Sequence, residues 1–253
     1  AYLGDLASSR SDMRRNHAVL ALFAMAQAAE REPDVALTIT KRIPVGAGLG
    51  GGSADAAATM LAVNRLWELN WPIERLRTIA GIEHVGDLDW PIERLQEVAA
   101  TLGADMPFCL TGGLAYGTGF GERITDIAPG SRDELALIEQ GFSGEVLVGA
   151  YQSQLSTPEV YHTFDIVGAA EGDRNHLQAA AISLHPRSGQ AIDAATQAGA
   201  SHAFVSGSGP SVVAFAADEA AAQRIIEVWR DTAVVDRIIR AKSPEHPNIS
   251  VRQ

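Results

Sequence analysis

Pro44-Val45-Gly46-Ala47-Gly48-Leu49-Gly50-Gly51-Gly52-Ser53-Ala54-Asp55 is the stretch on which the reading of this chain turns. Five glycines fall within the seven positions from Gly46 to Gly52. Glycine adopts positive φ at little cost and lets the backbone come close to a ligand. Upstream, Val35-Ala-Leu-Thr-Ile-Thr-Lys41 alternates apolar and polar residues and predicts a strand. Downstream, Ala54 to Leu69 is rich in Ala, Leu and Met and predicts a helix with Ser53 as its N-cap. A glycine loop between a strand and a helix start presents backbone N–H groups beside the positive helix end, a site suited to phosphate oxygens. The Ser53 hydroxyl adds a group for a phosphate or its Mg²⁺. The competing reading is a tight packing turn.

What is missing narrows the ligand class. A P-loop needs Gly-Lys-Ser/Thr, and Gly52 is followed directly by Ser53, so that motif fails. Gly46, Gly48 and Gly51 satisfy Gly-x-Gly-x-x-Gly, but a dinucleotide fold also wants a second parallel strand ending in an acid about 20 residues on. The acid near that distance is Glu68, inside the predicted helix, and no strand follows it.

Composition bounds the remaining choices. The chain has 253 residues, 46% hydrophobic and 20% charged, which excludes a disordered, collagen-like or membrane-spanning protein. The length suits one large domain or two ordinary ones. Lys and Arg number 20 against 31 Asp and Glu, a net charge of −11, and no basic cluster offers itself to nucleic acid or an anionic membrane. Cys109 is the single cysteine, so an intrachain disulfide and a Cys-based zinc site are excluded, and a reducing, cytoplasmic setting is expected. His17, His84, His162, His176, His185, His202 and His246 show no pair at ligand spacing, so no metal site built from protein ligands alone is expected. Met13-Arg14-Arg15 ahead of Ala18 to Met25 has the outline of a signal peptide, but Gln27 breaks the run and an Ala/Leu-rich buried helix is the better reading.

Further elements follow from periodicity and punctuation. Helical patterning runs from about Arg15 to Glu30 and stops at Pro33. Ile92 to Leu102 predicts a helix ended by Gly103. Phe108 to Ile127 predicts strands and turns, with glycines at 112, 113, 117, 119 and 121, and Pro129-Gly130-Ser131 is turn-like. Glu145 to Tyr151 reads as a buried strand, Thr157-Pro158 as a helix start, and Gly189 to Ala198 as a helix. Ala203 to Val205, the loop Ser206-Gly-Ser-Gly-Pro210 and Val212 to Ala216 make a strand–turn–strand, followed by a helix from Glu219 to Arg230. The mixture lacks regular βαβ alternation and predicts α+β. Trp71-Pro-Ile-Glu-Arg-Leu76 recurs letter for letter at Trp90 to Leu95, 19 positions on. A single duplicated hexamer is not a solenoid. The intervening Arg77 to Asp89 is expected to form an added turn and loop without chemistry.

Three segments together resemble the GHMP small-molecule kinases. Pro44 to Ala54 looks like their ATP loop, with Pro44, Val45, Gly46, Ala47, Gly48, Leu49, Gly50, Gly51, Gly52, Ser53 and Ala54 at matching positions. Leu102-Gly-Ala-Asp105-Met-Pro-Phe108 resembles the segment holding the catalytic aspartate. Val205-Ser-Gly-Ser-Gly-Pro-Ser211 resembles the third motif, in which Gly207, Ser208 and Gly209 brace the nucleotide site. Leu155 to Tyr161, with Thr157, and Asn175 also look like family positions. The set most resembles the branch acting on 4-diphosphocytidyl-2-C-methyl-D-erythritol in the non-mevalonate isoprenoid pathway. The resemblance implies ATP and Mg²⁺, with Ser53 reaching the metal only through Mg-ATP, Asp105 as the proton acceptor, and Thr157 lining the acceptor site. It implies two α+β lobes, a ribosomal S5 domain 2-like one over residues 1–141 and a ferredoxin-like one over 142–253, with Ile249-Ser-Val251 returning to the first.

The family's N-terminal motif, a strand with a Lys and an Asp-Gly-Tyr-His segment, has no counterpart here: residues 1–15 hold no Lys, and Lys41 is the first. The full-length product is therefore expected to be the kinase and this chain to be weak or inactive. Two other readings stay open: a GHMP kinase for another alcohol such as homoserine, mevalonate or a sugar, and a non-catalytic nucleotide-binding chain.

Overall fold

The computed structural model describes residues 16–80, 105–118, 123–172 and 174–250. They divide into two compact units. One gathers the described residues among 1–40, 52–127 and 246–253, and the other gathers 41–51 with those of 128–245.

The first unit begins with α1, His17–Ala28, whose Asn16 side chain accepts a capping hydrogen bond from the Ala18 amide at 3.0 Å. Ala18, Ala21, Leu22 and Met25 are buried at helical spacing, so the run that outlined a signal peptide is a core helix. α2, Gly51–Leu66, buries Ala56, Ala57, Met60 and Val63. α3, Ile73–Ala80, buries Leu76 and Ala80, and the short α4, Met106–Cys109, buries Met106. All of these but Ala18 form one core with Leu110. β1, Ala115–Thr118, and β2, Arg123–Asp126, pair antiparallel.

The second unit carries α5, Arg132–Glu139; β3, Gly144–Ala150; α6, Thr157–Val167; α7, Gln178–Leu184; α8, Pro186–Gln197; β4, Ala200–Val205; β5, Val212–Ala216; α9, Glu219–Asp231; and β6, Arg237–Ser243. Its sheet has the order β4-β5-β3-β6, every neighbour antiparallel. From β3 onward this is the split βαβ–βαβ arrangement of a ferredoxin-like domain, as the resemblance implied. Trp229, fully buried, centres the core of α8, α9 and the sheet, and its indole donates to the Ala191 carbonyl at 2.9 Å.

Several elements depart from the sequence reading. Residues 35–41 form no strand, although Val35, Leu37 and Ile39 are half-buried and Ala36, Thr38 and Thr40 exposed. The alternation is real, but no described strand pairs with it. Ser53 is not an N-cap: α2 begins two residues earlier, immediately after Gly50 at φ +60°, and Ser53 is buried in its first turn. Arg77 does not open a loop; Arg77 to Ala80 complete α3. The helix expected over Ile92 to Leu102 lies outside the described residues, as does Val251. Residues 246–250 rejoin the first unit, where the His246 ring meets the Thr111 carbonyl at 2.8 Å.

Replacing Trp229 by Ala removes the largest fully buried side chain and its hydrogen bond. The expected loss of unfolding free energy is about 3–5 kcal/mol, read as a lowered midpoint in urea.

Candidate active site

In the second unit the two glycine segments nominated by the sequence come together. Gly46, Gly48 and Gly50 hold φ of +65°, +70° and +60°, so the loop takes the left-handed turns its composition allows. The turn between β4 and β5, closed by the Ser206 amide donating to Ser211 O at 2.9 Å and Gly209 donating to Ser206 O at 2.8 Å, lies against it. The Ser206 hydroxyl donates to Gly48 O at 2.8 Å and the Ser211 amide to Ala47 O at 3.4 Å. A Cβ on Gly48 would stand 2.2 Å from Ser206 O and 2.7 Å from Gly209 N. One of the five glycines therefore answers to packing against the protein's own second loop. At Gly48 the packing-turn reading holds.

The second loop is anchored from below. Asn175 donates from Nδ2 to both Val205 O and Gly207 O, each at 2.7 Å, and Ser188 donates to Pro210 O at 2.6 Å. Gln178 accepts from the Val205 amide at 3.1 Å. On the exposed side, the hydroxyls of Thr157 and Ser208 meet at 3.0 Å. That contact places Thr157, at the start of α6, beside the loop that holds Gly207, Ser208 and Gly209. Leu49 packs on the sheet face formed by Val146, Val148 and Phe215. Pro44 and Val45 precede the loop, with Val45 exposed.

In the first unit, Ser53 and Ala54 lie in the first turn of α2. Asp105 occupies the N-cap position of α4, is exposed, and makes no capping hydrogen bond with its side chain. Its carboxylate is thus not spent on the helix, which weakens the reading of Asp105 as a simple capping residue. Arg77 braces the same segment: Nε donates to Pro107 O at 3.3 Å, and Nη2 to Thr111 Oγ1 at 2.8 Å and to Asp126 at 2.7 Å. Hydrogen bonding from Arg77 holds the Asp126 carboxyl below its ordinary pKa. Burial, reinforced by the charge of Asp105, pushes the Cys109 thiol up to about 11, so it is inert as a nucleophile at neutral pH.

Sequence reasoning passed over Ser206, Ser188 and Arg77, whose roles arise from long-range contacts. Ser206 lay within the recognised third motif, whereas Ser188 and Arg77 carried no local signal. Among the described residues, no group of three or more His, Cys, Asp or Glu could hold a metal ion, and no helix is long and apolar enough to cross a membrane.

Residues 16–113 match the family model for the GHMP kinases N terminal domain, and residues 160–235 match that for GHMP kinases C terminal. The chain belongs to the GHMP kinase family. It is 92% identical over all 253 residues to a protein of Bifidobacterium longum (strain DJO10A) named 4-diphosphocytidyl-2-C-methyl-D-erythritol kinase, and spans 74% of that protein. A crystal structure of 4-(cytidine 5'-diphospho)-2C-methyl-D-erythritol kinase matches with a TM-score of 0.65 and 26% identity, covering 90% of this chain and 78% of that one. The homoserine kinase from Cytophaga hutchinsonii gives the same TM-score of 0.65 at 15% identity, over 96% of this chain and 80% of that one. The two structures match with the same TM-score, so this likeness shows the shared fold.

Gly46→Ala and Gly48→Ala test the interlock of the two loops. Both impose the strain of positive φ, but the Cβ at 46 meets only the end of the Gln154 side chain, whereas that at 48 meets backbone. Gly48→Ala is expected to cost about 1–3 kcal/mol and Gly46→Ala clearly less, compared by urea midpoints. Equal costs would contradict the interlock.

Proposed function

We propose that this chain transfers the γ-phosphoryl group of ATP to the 2-hydroxyl of 4-diphosphocytidyl-2-C-methyl-D-erythritol, a step of the non-mevalonate route to isoprenoid precursors. The observation that carries the reading is the 92% identity along the whole chain to a kinase of that name. The glycine loop on its braced support, and the uncommitted carboxylate of Asp105, suit the chemistry.

Phosphoryl transfer asks a protein mainly for positioning and charge stabilisation. The N–H groups of residues 46–52 and the start of α2 would hold the phosphate oxygens. The acceptor oxygen forms its bond to the γ-phosphorus as the bond to the bridging oxygen breaks, and ADP leaves with that oxygen. Asp105 accepts the proton of the acceptor hydroxyl. In a loose transition state the hydroxyl loses its proton late, so this transfer does not demand a strong base. Thr157 would line the acceptor site, and Gly207, Ser208 and Gly209 would support the nucleotide loop.

Magnesium fits as a partner of the nucleotide. The described residues offer no carboxylate cage, and Mg²⁺ characteristically keeps few protein ligands beside phosphate oxygens. It would supply charge neutralisation on the phosphates, with the Ser53 hydroxyl as the chain's own donor to it. The family division into domains over 1–141 and 142–253 belongs to this reading.

The test is ADP release with Mg-ATP and 4-diphosphocytidyl-2-C-methyl-D-erythritol, homoserine or mevalonate as acceptor. It is run on the chain and on the same chain preceded by the family's N-terminal Lys segment. Turnover with the cytidine-linked acceptor is expected from the chain preceded by that segment, reduced by about 10²–10⁴-fold in Asp105→Asn. Turnover with another acceptor instead would refute the substrate, and an unaffected variant would refute the base.

A further inference from the structure

α4 is a single turn, and a lone turn does not hold itself. Forming the first helical hydrogen bond is unfavourable without neighbours to extend it, so Met106–Cys109 has to be kept in shape from outside. Within the segment the Cys109 amide donates to Asp105 O at 3.1 Å and the Gly112 amide to Phe108 O at 2.8 Å. The Asp105 side chain adds no capping bond, and Pro107 has no N–H to give. Met106 and Leu110 tie the turn to the core.

Further support comes from Arg77. It follows the buried Leu76 and precedes the buried Ala80 by three positions, so its stem leaves a helix packed in the same core. The half-buried guanidinium reaches three residues. Nε donates to Pro107 O at 3.3 Å, and Nη2 donates to Thr111 Oγ1 at 2.8 Å and to Asp126 Oδ1 and Oδ2 at 2.7 and 2.9 Å. Arginine only donates, so the Thr111 hydroxyl accepts from it and turns its own proton to Asp126 Oδ1 at 3.2 Å or Phe108 O at 3.4 Å. A cation thus meets a carbonyl of the last turn of a helix, where carbonyls lack intrahelical partners. Asp126, on β2, fixes the fork and balances its charge. From the C-terminal segment the His246 ring donates to Thr111 O at 2.8 Å.

We infer that Arg77, held by Asp126, is a positioning residue for Asp105, fixing the turn on which the carboxylate stands. It acts through the backbone of residues 105–111 and not on the reacting atoms. The inference rests on the proposed function, in which Asp105 accepts the proton of the acceptor hydroxyl. A base displaced by about an ångström loses rate steeply while the substrates still bind.

A double-mutant cycle separates this role from plain stabilisation. kcat and KM are measured with Mg-ATP and the cytidine-linked acceptor on the chain preceded by the family's N-terminal Lys segment. Arg77→Ala is expected to lower kcat by about 10–10²-fold with KM for both substrates nearly unchanged. In the Asp105→Asn background the same substitution is expected to cost less than about twofold, because an absent base cannot be misplaced. Arg77→Lys keeps the charge beside Asp126, but one ammonium cannot reproduce the planar fork, and kcat is expected to fall nearly as far. Arg240→Ala, which breaks the pairing with Glu145 and Glu219 in the second unit, is expected to leave kcat unchanged. Equal losses from Arg77→Ala with and without the Asp105 carboxylate, or an unaffected kcat, would overturn the inference.

Amide hydrogen exchange reads the brace with no ligand present. Protection at Cys109 and Gly112 is expected to drop about tenfold in Arg77→Ala, with Met60 of α2 unchanged. Unchanged protection at those two amides would also overturn the inference. If no version of the chain turns over, the functional reading falls, and exchange at Cys109 and Gly112 still decides whether Arg77 holds the turn.

Discussion

A phosphate-binding loop has to satisfy two opposed demands. Its amides must stay open to the ligand, and they must already point the right way, because a cradle that reorganises on binding gives up much of its electrostatic benefit. In the candidate loop of residues 44–51 the second demand would be met by contact between loops. Gly48 lies so close to Ser206 and Gly209 that no side chain fits between them, and its carbonyl accepts the Ser206 hydroxyl. The conformation of residues 44–51 therefore depends on the turn between β4 and β5. That turn is set by the Val205–Val212 register and by the side chains of Asn175 and Ser188.

The first unit is built on a different economy. α1 and α2 contribute mainly alanines to one buried cluster, with Met25 and Met60 as the larger side chains among them. Asn64 clamps the start of α3 by bonding both the amide and the carbonyl of Trp71, each at 3.1 Å, and Arg75 lies over the Trp71 ring at 4.0 Å. The first copy of the duplicated hexamer is thus a well-held helix start. Arg77, one residue beyond the repeat, ties that helix to the segment that follows Asp105.

Not every element was equally legible. The buried strand β3 and the helix α9 declare themselves by continuous apolar residues and by a clear amphipathic stripe. β6 was passed over because Arg237, Arg240 and Lys242 interrupt its pattern, which suits an edge strand with charged side chains. α5 buries no residue and so carries no apolar stripe, but Ser131 with Glu134 three positions on is a capping-box signal that could have found it. The start of α2 was misplaced because glycines read as loop, whereas only Gly46, Gly48 and Gly50 leave helical φ.

By itself the sequence determined the family and the α+β class and nominated the two glycine loops and Asp105, because these are local spellings whose spacing survives without a fold. The tertiary structure decided how those spellings are used. It showed that Gly48 is a packing residue as well as part of a candidate cradle, that Asp105 keeps its carboxylate clear of the helix it begins, and that Ser188 and Arg77 support the two candidate segments. Such roles depend on residues 22 to 49 positions apart meeting in space. No periodicity along the chain encodes those meetings.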